Sequence, residues 1–212
     1  MTGRTSSRTG AAQEGAGRRR ADAERNIATI VAAATDLFAH APDANMTEIA
    51  RAAGVGRVTL YSHFPSREVL IRAVLEQAIG QSTQIIEDAR GARLPPVDAF
   101  AHLIRTTWPL IGRFGRLHNA AQRALPADEV RHLHDPPMAH VRELIVQGQE
   151  AGEFRTDLPL EWLVSTVYAL LHAAMEAVAS QHLDQNDAGE ALVKTLLGAL
   201  RSEPEDTHPA QS

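Results

Sequence analysis

Apolar residues recur along this chain at intervals of three and four, and no stretch sustains an interval of two. That spacing marks amphipathic helices. Ile27, Ile30, Val31, Ala34, Leu37 and Phe38 form the first stripe and predict a helix from about Arg19 to His40. Pro42 to Asn45 reads as a loop. Two short stretches follow it. In the first, Ile49, Ala50 and Ala53 share a face that Thr47 or Asn45 can cap. Gly54 closes this helix, because the residue past a helix end often takes a positive φ that only glycine adopts without steric cost. Gly56 opens the second, where Leu60, Tyr61 and Phe64 share a face. Ser66 caps a third, which runs through Leu70 and Val74 to about Arg90. Gly91 to Pro96 breaks the chain. Beyond it the pattern predicts helices over about Val97–Phe114, Arg116–Ala124, Ala127–Ala151, Leu160–His182 and Asn186–Arg201. Pro136-Pro137 should divide the third of these. The predicted fold class is all-α.

The domain boundaries follow from this pattern. Residues 1–18 carry no periodicity and read as a disordered basic arm, with Arg4, Arg8, Arg18, Arg19 and Arg20 as candidate phosphate or minor-groove contacts. Residues 19–80 form a small domain containing a two-helix motif at 45–64. Residues 81–201 form a larger helical domain, and 202–212 a flexible tail. Cysteine is absent, which excludes disulfides and thiolate chemistry and fits a reducing cytoplasm. The first twenty residues have no apolar core, so a secretory signal is not expected. The apolar run Val164–Ala179 is interrupted by His172 and Glu176 and reads as too short to span a bilayer.

The net charge of −5 argues at first against a nucleic-acid partner. Its distribution changes that picture. Up to Arg72 there are ten basic against seven acidic residues; beyond it, eleven against nineteen. The basic part coincides with the two-helix motif, which has the pattern of a helix-turn-helix whose second helix lies in a DNA major groove.

The residues of this motif also carry a resemblance. Thr47, Ile49, Ala50, Ala53, Gly54 and Val55, then Thr59-Leu60-Tyr61 with His63-Phe64, then Ser66-Arg67-Glu68 with Leu70, resemble the TetR family of transcriptional regulators. The resemblance covers roughly residues 22–80. It implies nine or ten helices: a three-helix DNA-binding domain followed by a larger domain for effector binding and dimerisation. It further implies a homodimer on a pseudo-palindromic operator, released when a small molecule enters the larger domain. Two positions depart from the family's pattern. Gly56 stands where a serine is usual and lacks its capping oxygen, and Val58 offers an apolar contact where a smaller residue is common.

On this reading Arg57, Val58 and Thr59 face the groove from the start of the recognition helix. Arg57 can pair with guanine O6 and N7, or hold a phosphate. Thr47 places a hydroxyl and helix-terminal amides near a phosphate, and Arg67 would hold another. The resemblance suggests phosphate contacts for Tyr61 and His63. The helix from Ser66, shared by both domains, is the expected carrier of the signal.

The larger domain is less legible. Candidate lining residues for an effector cavity are His102, Arg105, Trp108, Phe114, His118, Gln122, Tyr168 and His172. The last two helices are apolar over more than half their circumference, which suits a dimer interface through Val164, Val167, Tyr168, Leu171, Met175, Leu192, Leu196 and Leu200. Two other readings compete: a helical module that binds protein, and a metal-responsive regulator using His132, His134 and His140. In the latter, the i, i+4 pair that suits a metal on a helix is missing among the three, so neither a resident metal nor a cofactor is expected. No nucleophile elbow, P-loop or dinucleotide glycine pattern occurs, and an enzyme is not expected.

Overall fold

The structure, a computed structural model, describes residues 6–89 and 94–202. The chain divides between Val74 and Leu75 into two compact units. Arg4, the side chains of Arg8, Arg18 and Arg19, and the tail from residue 203 lie outside the described residues.

The first unit holds α1 (Ser6–His40), α2 (Met46–Ala52), α3 (Arg57–His63) and the start of α4 (Arg67–Ala89). α1 begins at Ser6, not at about Arg19 as the periodicity suggested. No proline occurs from Ser6 to Ala41, and alanine, glutamine, glutamate and arginine are good helix formers even without an apolar stripe. Ile30, Val31, Ala34 and Phe38 are buried as expected, whereas Ile27 is exposed. They meet Ile49 and Ala50 of α2, Leu60 of α3, and Leu70, Ile71 and Val74 of α4 in one core.

Local chemistry sets the ends of these helices. Asn45 caps α2: its Oδ1 accepts from the amides of Thr47 (2.9 Å) and Glu48 (3.1 Å), and Glu48 Oε2 accepts from the Asn45 amide (2.8 Å). This capping box satisfies amides that a helix start leaves without partners. Gly54 has φ +66°, the left-handed turn expected of it. Gly56 caps α3 in extended conformation without a side-chain bond.

The second unit holds the rest of α4, then α5 (Pro96–Ile111), a 3₁₀ turn (Gly112–Phe114), α6 (Gly115–Ala124), α7 (Ala127–Leu133), α8 (Asp135–Glu150), α9 (Leu160–Ala179) and α10 (Gln185–Leu200). The expected division by Pro136-Pro137 occurs at His134, with the prolines in the first turn of α8, where a missing N–H costs nothing. No strand forms among the described residues; one isolated bridge joins Phe154 and Arg201. α5 packs on α8 and α10, and α9 packs on α6, α8 and α10. Phe100 and Phe154 meet edge to face at 5.9 Å inside this core.

Two expectations are corrected here. α9 is 20 residues long and, by length and composition alone, long and apolar enough to cross a membrane, so the shortness argument does not hold. Here it lays Leu163, Val164, Val167, Leu171 and Met175 against its neighbours. That burial also overturns the dimer assignment. Val164, Val167, Leu171 and Met175 of α9, and Leu192, Leu196 and Leu200 of α10, are buried in the chain's own core, and Tyr168 is half-buried in a ring cluster. Their spacing marks an apolar face, but a face that fills its own core cannot also cover a partner. The outward positions include Trp162, Ala169 and Ala173 on α9, and Ala191, Thr195 and Gly198 on α10, beside the charged Glu161, Glu176, Glu190 and Lys194.

One close approach sets the geometry of the second unit. A Cβ at Gly115 would lie 2.8 Å from the Met175 carbonyl oxygen. The missing side chain lets the start of α6 sit against the backbone of α9. Gly115→Ala must push the two helices apart, and we expect a loss of about 1–3 kcal/mol, read as a lower urea midpoint with an unchanged slope.

Candidate nucleic-acid interface and effector cavity

α3 is seven residues long and has two unlike sides. Leu60 is fully buried and Phe64, its C-cap, is 5% exposed, so this side belongs to the core. Arg57 and Val58 stand on the other side, with Val58 85% exposed. Thr59 and His63 are half-buried, and Tyr61 is 42% exposed. An aliphatic side chain that bare contributes nothing to folding. Thr47 is exposed at the N-terminus of α2, where its amide is already taken by Asn45 while its side chain stays outside.

Arg67 has a different job from the phosphate contact expected of it. Its Nε donates to the Ala44 carbonyl (3.0 Å) and its Nη2 to the Pro42 carbonyl (2.5 Å), with the guanidinium over the Phe38 ring. It therefore clamps the loop between α1 and α2 to the start of α4. Sequence spacing could not show this, because the partners are carbonyls more than twenty residues away.

Within the second unit a cavity of about 80 Å³ opens between helices. Leu75 and Ile79 of α4, Ile104 and Thr107 of α5, Met138 of α8 and Met175 of α9 form much of its wall. Of the eight lining candidates, Phe114, His118 and His172 reach it. Tyr168 stands beside it, its ring 4.0 Å from that of His172. The other four are elsewhere. Trp108 is buried in the core and donates Nε1–H to the Gln185 carbonyl (2.9 Å). Arg105 is held by Glu190 of α10 through two hydrogen bonds, and His102 and Gln122 are exposed. His102 and Arg105 fail because α5 turns its apolar stripe, not its polar one, toward the interior, and Trp108 faces inward but is committed to the core.

The aliphatic wall was not among the cavity candidates, and neither was His134, a third lining histidine. It sits at the junction of α7 and α8, with its ring 5.5 Å from that of His118 and 5.2 Å from that of His172. The trio of the competing metal reading does not converge: His132 is exposed and bonded to the Asp128 carbonyl, and His140 pairs with Glu143.

Burial makes these cavity imidazoles neutral. It pushes His118 down to about 3, helped by repulsion from His172 and His134. Burial pushes His172 down to about 4, against the opposing bond to the Tyr168 carbonyl. His134 is lowered by burial too, partly offset by its bond to the Val130 carbonyl.

Comparison with known proteins agrees with this division. Residues 30–74 match the family model for bacterial regulatory proteins of the tetR family. Over these residues the chain carries the N-terminal helices of the tetR family. It is 36% identical over 74 residues to the HTH-type transcriptional regulator SAR0097 of Staphylococcus aureus, a match spanning 34% of this chain and 39% of that protein. It is 26% identical over 181 residues to the HTH-type transcriptional repressor LfrR of Mycolicibacterium smegmatis, spanning 85% of this chain and 93% of that protein. The crystal structure of the LfrR from Mycobacterium smegmatis, in complex with proflavine, superposes with a TM-score of 0.67 at 24% identity, covering 85% of this chain and 98% of that one. The N-terminal helices thus match by sequence, and the helical fold is shared over 85% of the chain.

Two outcomes follow from the geometry. Arg67→Ala leaves two carbonyls without their charged donor and should lower stability by about 1–3 kcal/mol, while the salt dependence of operator binding by the folded variant stays unchanged. For the imidazoles, an unfolded chain takes up protons near pH 6.5, whereas folded His118 and His172 do so only near 3 and 4. The unfolded state binds more protons in that window, so stability is full above pH 6.5 and falls on acidification. The slope should reach about 1.4 kcal/mol per pH unit for each imidazole, measured by urea unfolding in chelator-treated buffer.

Proposed function

We propose that this regulator represses transcription by laying α3 of each of two copies into successive major grooves of a pseudo-palindromic operator. The observation that carries this is the outward side of α3: Arg57 and Val58 project from the helix start, while Leu60 anchors the opposite side in the core. Arg57 pairs with a guanine edge and Val58 touches a thymine methyl. Thr59 completes the reading surface. Thr47, Tyr61 and His63 flank it and hold phosphates. Gly56 contributes its backbone amide there and no hydroxyl. A protein with this task works in the cytoplasm, where its operator is.

The two copies meet through the outer faces of α9 and α10. Ala169, Ala173, Ala191, Thr195 and Gly198 are small and exposed, which lets helices approach closely, and Trp162 (62% exposed) gives that surface a large apolar anchor.

The effector enters the cavity of the second unit. At about 80 Å³ the cavity is far below the several hundred Å³ that a drug-sized ligand fills. Binding therefore spreads the helices around it, and that differential fit is what couples ligand to DNA. α4 lines the cavity with Leu75 and Ile79 and is one unbroken helix back to Arg67, so a shift of its second half is felt by the DNA-binding unit. The wall is chiefly aliphatic, which favours an apolar effector; LfrR's complex with proflavine supports a small-molecule effector, and its designation as a repressor supports repression.

The test is operator binding by gel shift across salt concentrations, with DNA from upstream of its own gene. Arg57→Ala should cost about 1–3 kcal/mol and flatten the preference at one base pair. A loss that is equal on operator and unrelated DNA removes Arg57 from base reading.

A further inference from the structure

The effector cavity contains three imidazoles whose placement the repressor mechanism does not require. His118 comes from α6, His134 from the junction of α7 and α8, and His172 from α9. One ring nitrogen from each lies within 4.8 Å of the other two. His134 Nδ1 is 2.8 Å from the Val130 carbonyl and His172 Nδ1 is 2.6 Å from the Tyr168 carbonyl. A carbonyl only accepts, so both Nδ1 atoms carry the proton and both Nε2 atoms present a lone pair. Nε2 of His172 and both ring nitrogens of His118 are buried without a protein partner. Leaving such atoms unsatisfied is costly, and the other polar groups of the wall do not help. Ser82 Oγ donates to the Ala78 carbonyl and Thr107 Oγ1 to the Leu103 carbonyl.

We propose that His118, His134 and His172 form a three-nitrogen binding site for a divalent late transition metal of the Zn²⁺ class. A tetrahedral zinc with bonds of about 2.0–2.1 Å holds its ligand nitrogens about 3.3 Å apart, so each imidazole closes by less than about 1 Å. The Val130 and Tyr168 carbonyls orient two of the rings from behind, as outer partners do in known metal sites. Neutral imidazoles bind without competition from protons at neutral pH. No carboxylate lines the cavity among the described residues. An all-imidazole set suits zinc, and Mg²⁺ and Ca²⁺, which take oxygen ligands, fit it poorly. Three protein ligands leave a fourth position open toward the cavity for water or an anion. Metal occupancy concerns these three residues alone and stands apart from what α3 reads.

The experiment titrates full-length, chelator-stripped protein with Zn²⁺, Co²⁺ and Mg²⁺ in the absence of DNA. We expect one Zn²⁺ per chain by calorimetry, a higher Tm with Zn²⁺, intense visible bands of tetrahedral Co²⁺, and no response to Mg²⁺. His118→Leu replaces an unpartnered buried imidazole with an apolar side chain. It should fold with an equal or higher Tm and lose Zn²⁺ affinity by about a hundredfold or more. His132→Gln, at an exposed histidine outside the cavity, should leave affinity unchanged. If His118→Leu does not fold, His172→Gln and the wild-type Co²⁺ spectrum decide. Affinity unaffected by loss of either cavity histidine, pale six-coordinate Co²⁺ bands, or absence of binding overturns the proposal.

Discussion

The left-handed turn at Gly54 is the constraint on which the DNA-binding unit depends. At φ +66° the chain reverses between α2 and α3 within a few residues, and a side chain there would be strained. Because the turn is tight, Ile49 and Leu60 reach one core from two short helices. With Leu60 committed inward, the period of the helix sends Arg57 and Val58 outward. The outward side of α3 is thus a consequence of how the core closes. Seven residues could not hold this conformation alone, since isolated helices of that length do not form in water. The capping box at Asn45 and the clamp of Arg67 on the preceding loop supply what the short helices lack.

The second unit answers a different physical problem. It closes a core and still keeps a void between helices. Its core is closed around Phe100, Ile145, Phe154 and Val167, while the side lined by Leu75, Ile104 and Met175 keeps a small void. Gly115 brings α6 onto α9 at that side, and the same approach carries His118 to His172, with ring centres 3.9 Å apart. Protonating imidazoles in such a place means placing charge in a nearly dry interior, which is why burial dominates their titration. A cavity with apolar walls and one polar corner can orient a ligand as well as enclose it.

Much of the DNA-binding unit was legible in the residues. Helix order, the glycine turn, the serine start of α4 and the burial of Leu60 and Phe64 are local matters, set by caps, turns and a period of 3.6. The large domain was legible only as helices. Spacing shows that α9 and α10 have wide apolar faces, but not whether a face meets its own chain or a second copy. Val167 and Leu196 proved to be core for that reason. Likewise Trp108 looked like a pocket wall and is a core strut tied to Gln185.

What the sequence alone determined is therefore what neighbours along the chain decide: an all-helical fold, the two-helix motif with Arg57 at the start of its second helix, and the family resemblance of that motif. What only the tertiary structure decided is what distant segments do to one another. Arg67 meets carbonyls of residues 42 and 44, so its charge serves the fold rather than a phosphate. His118, His134 and His172 are separated by sixteen and thirty-eight positions, a spacing no motif encodes, and they converge because three helix segments pack there. Side-chain periodicity reports which way a residue points from its own helix axis. It carries no information about what stands opposite.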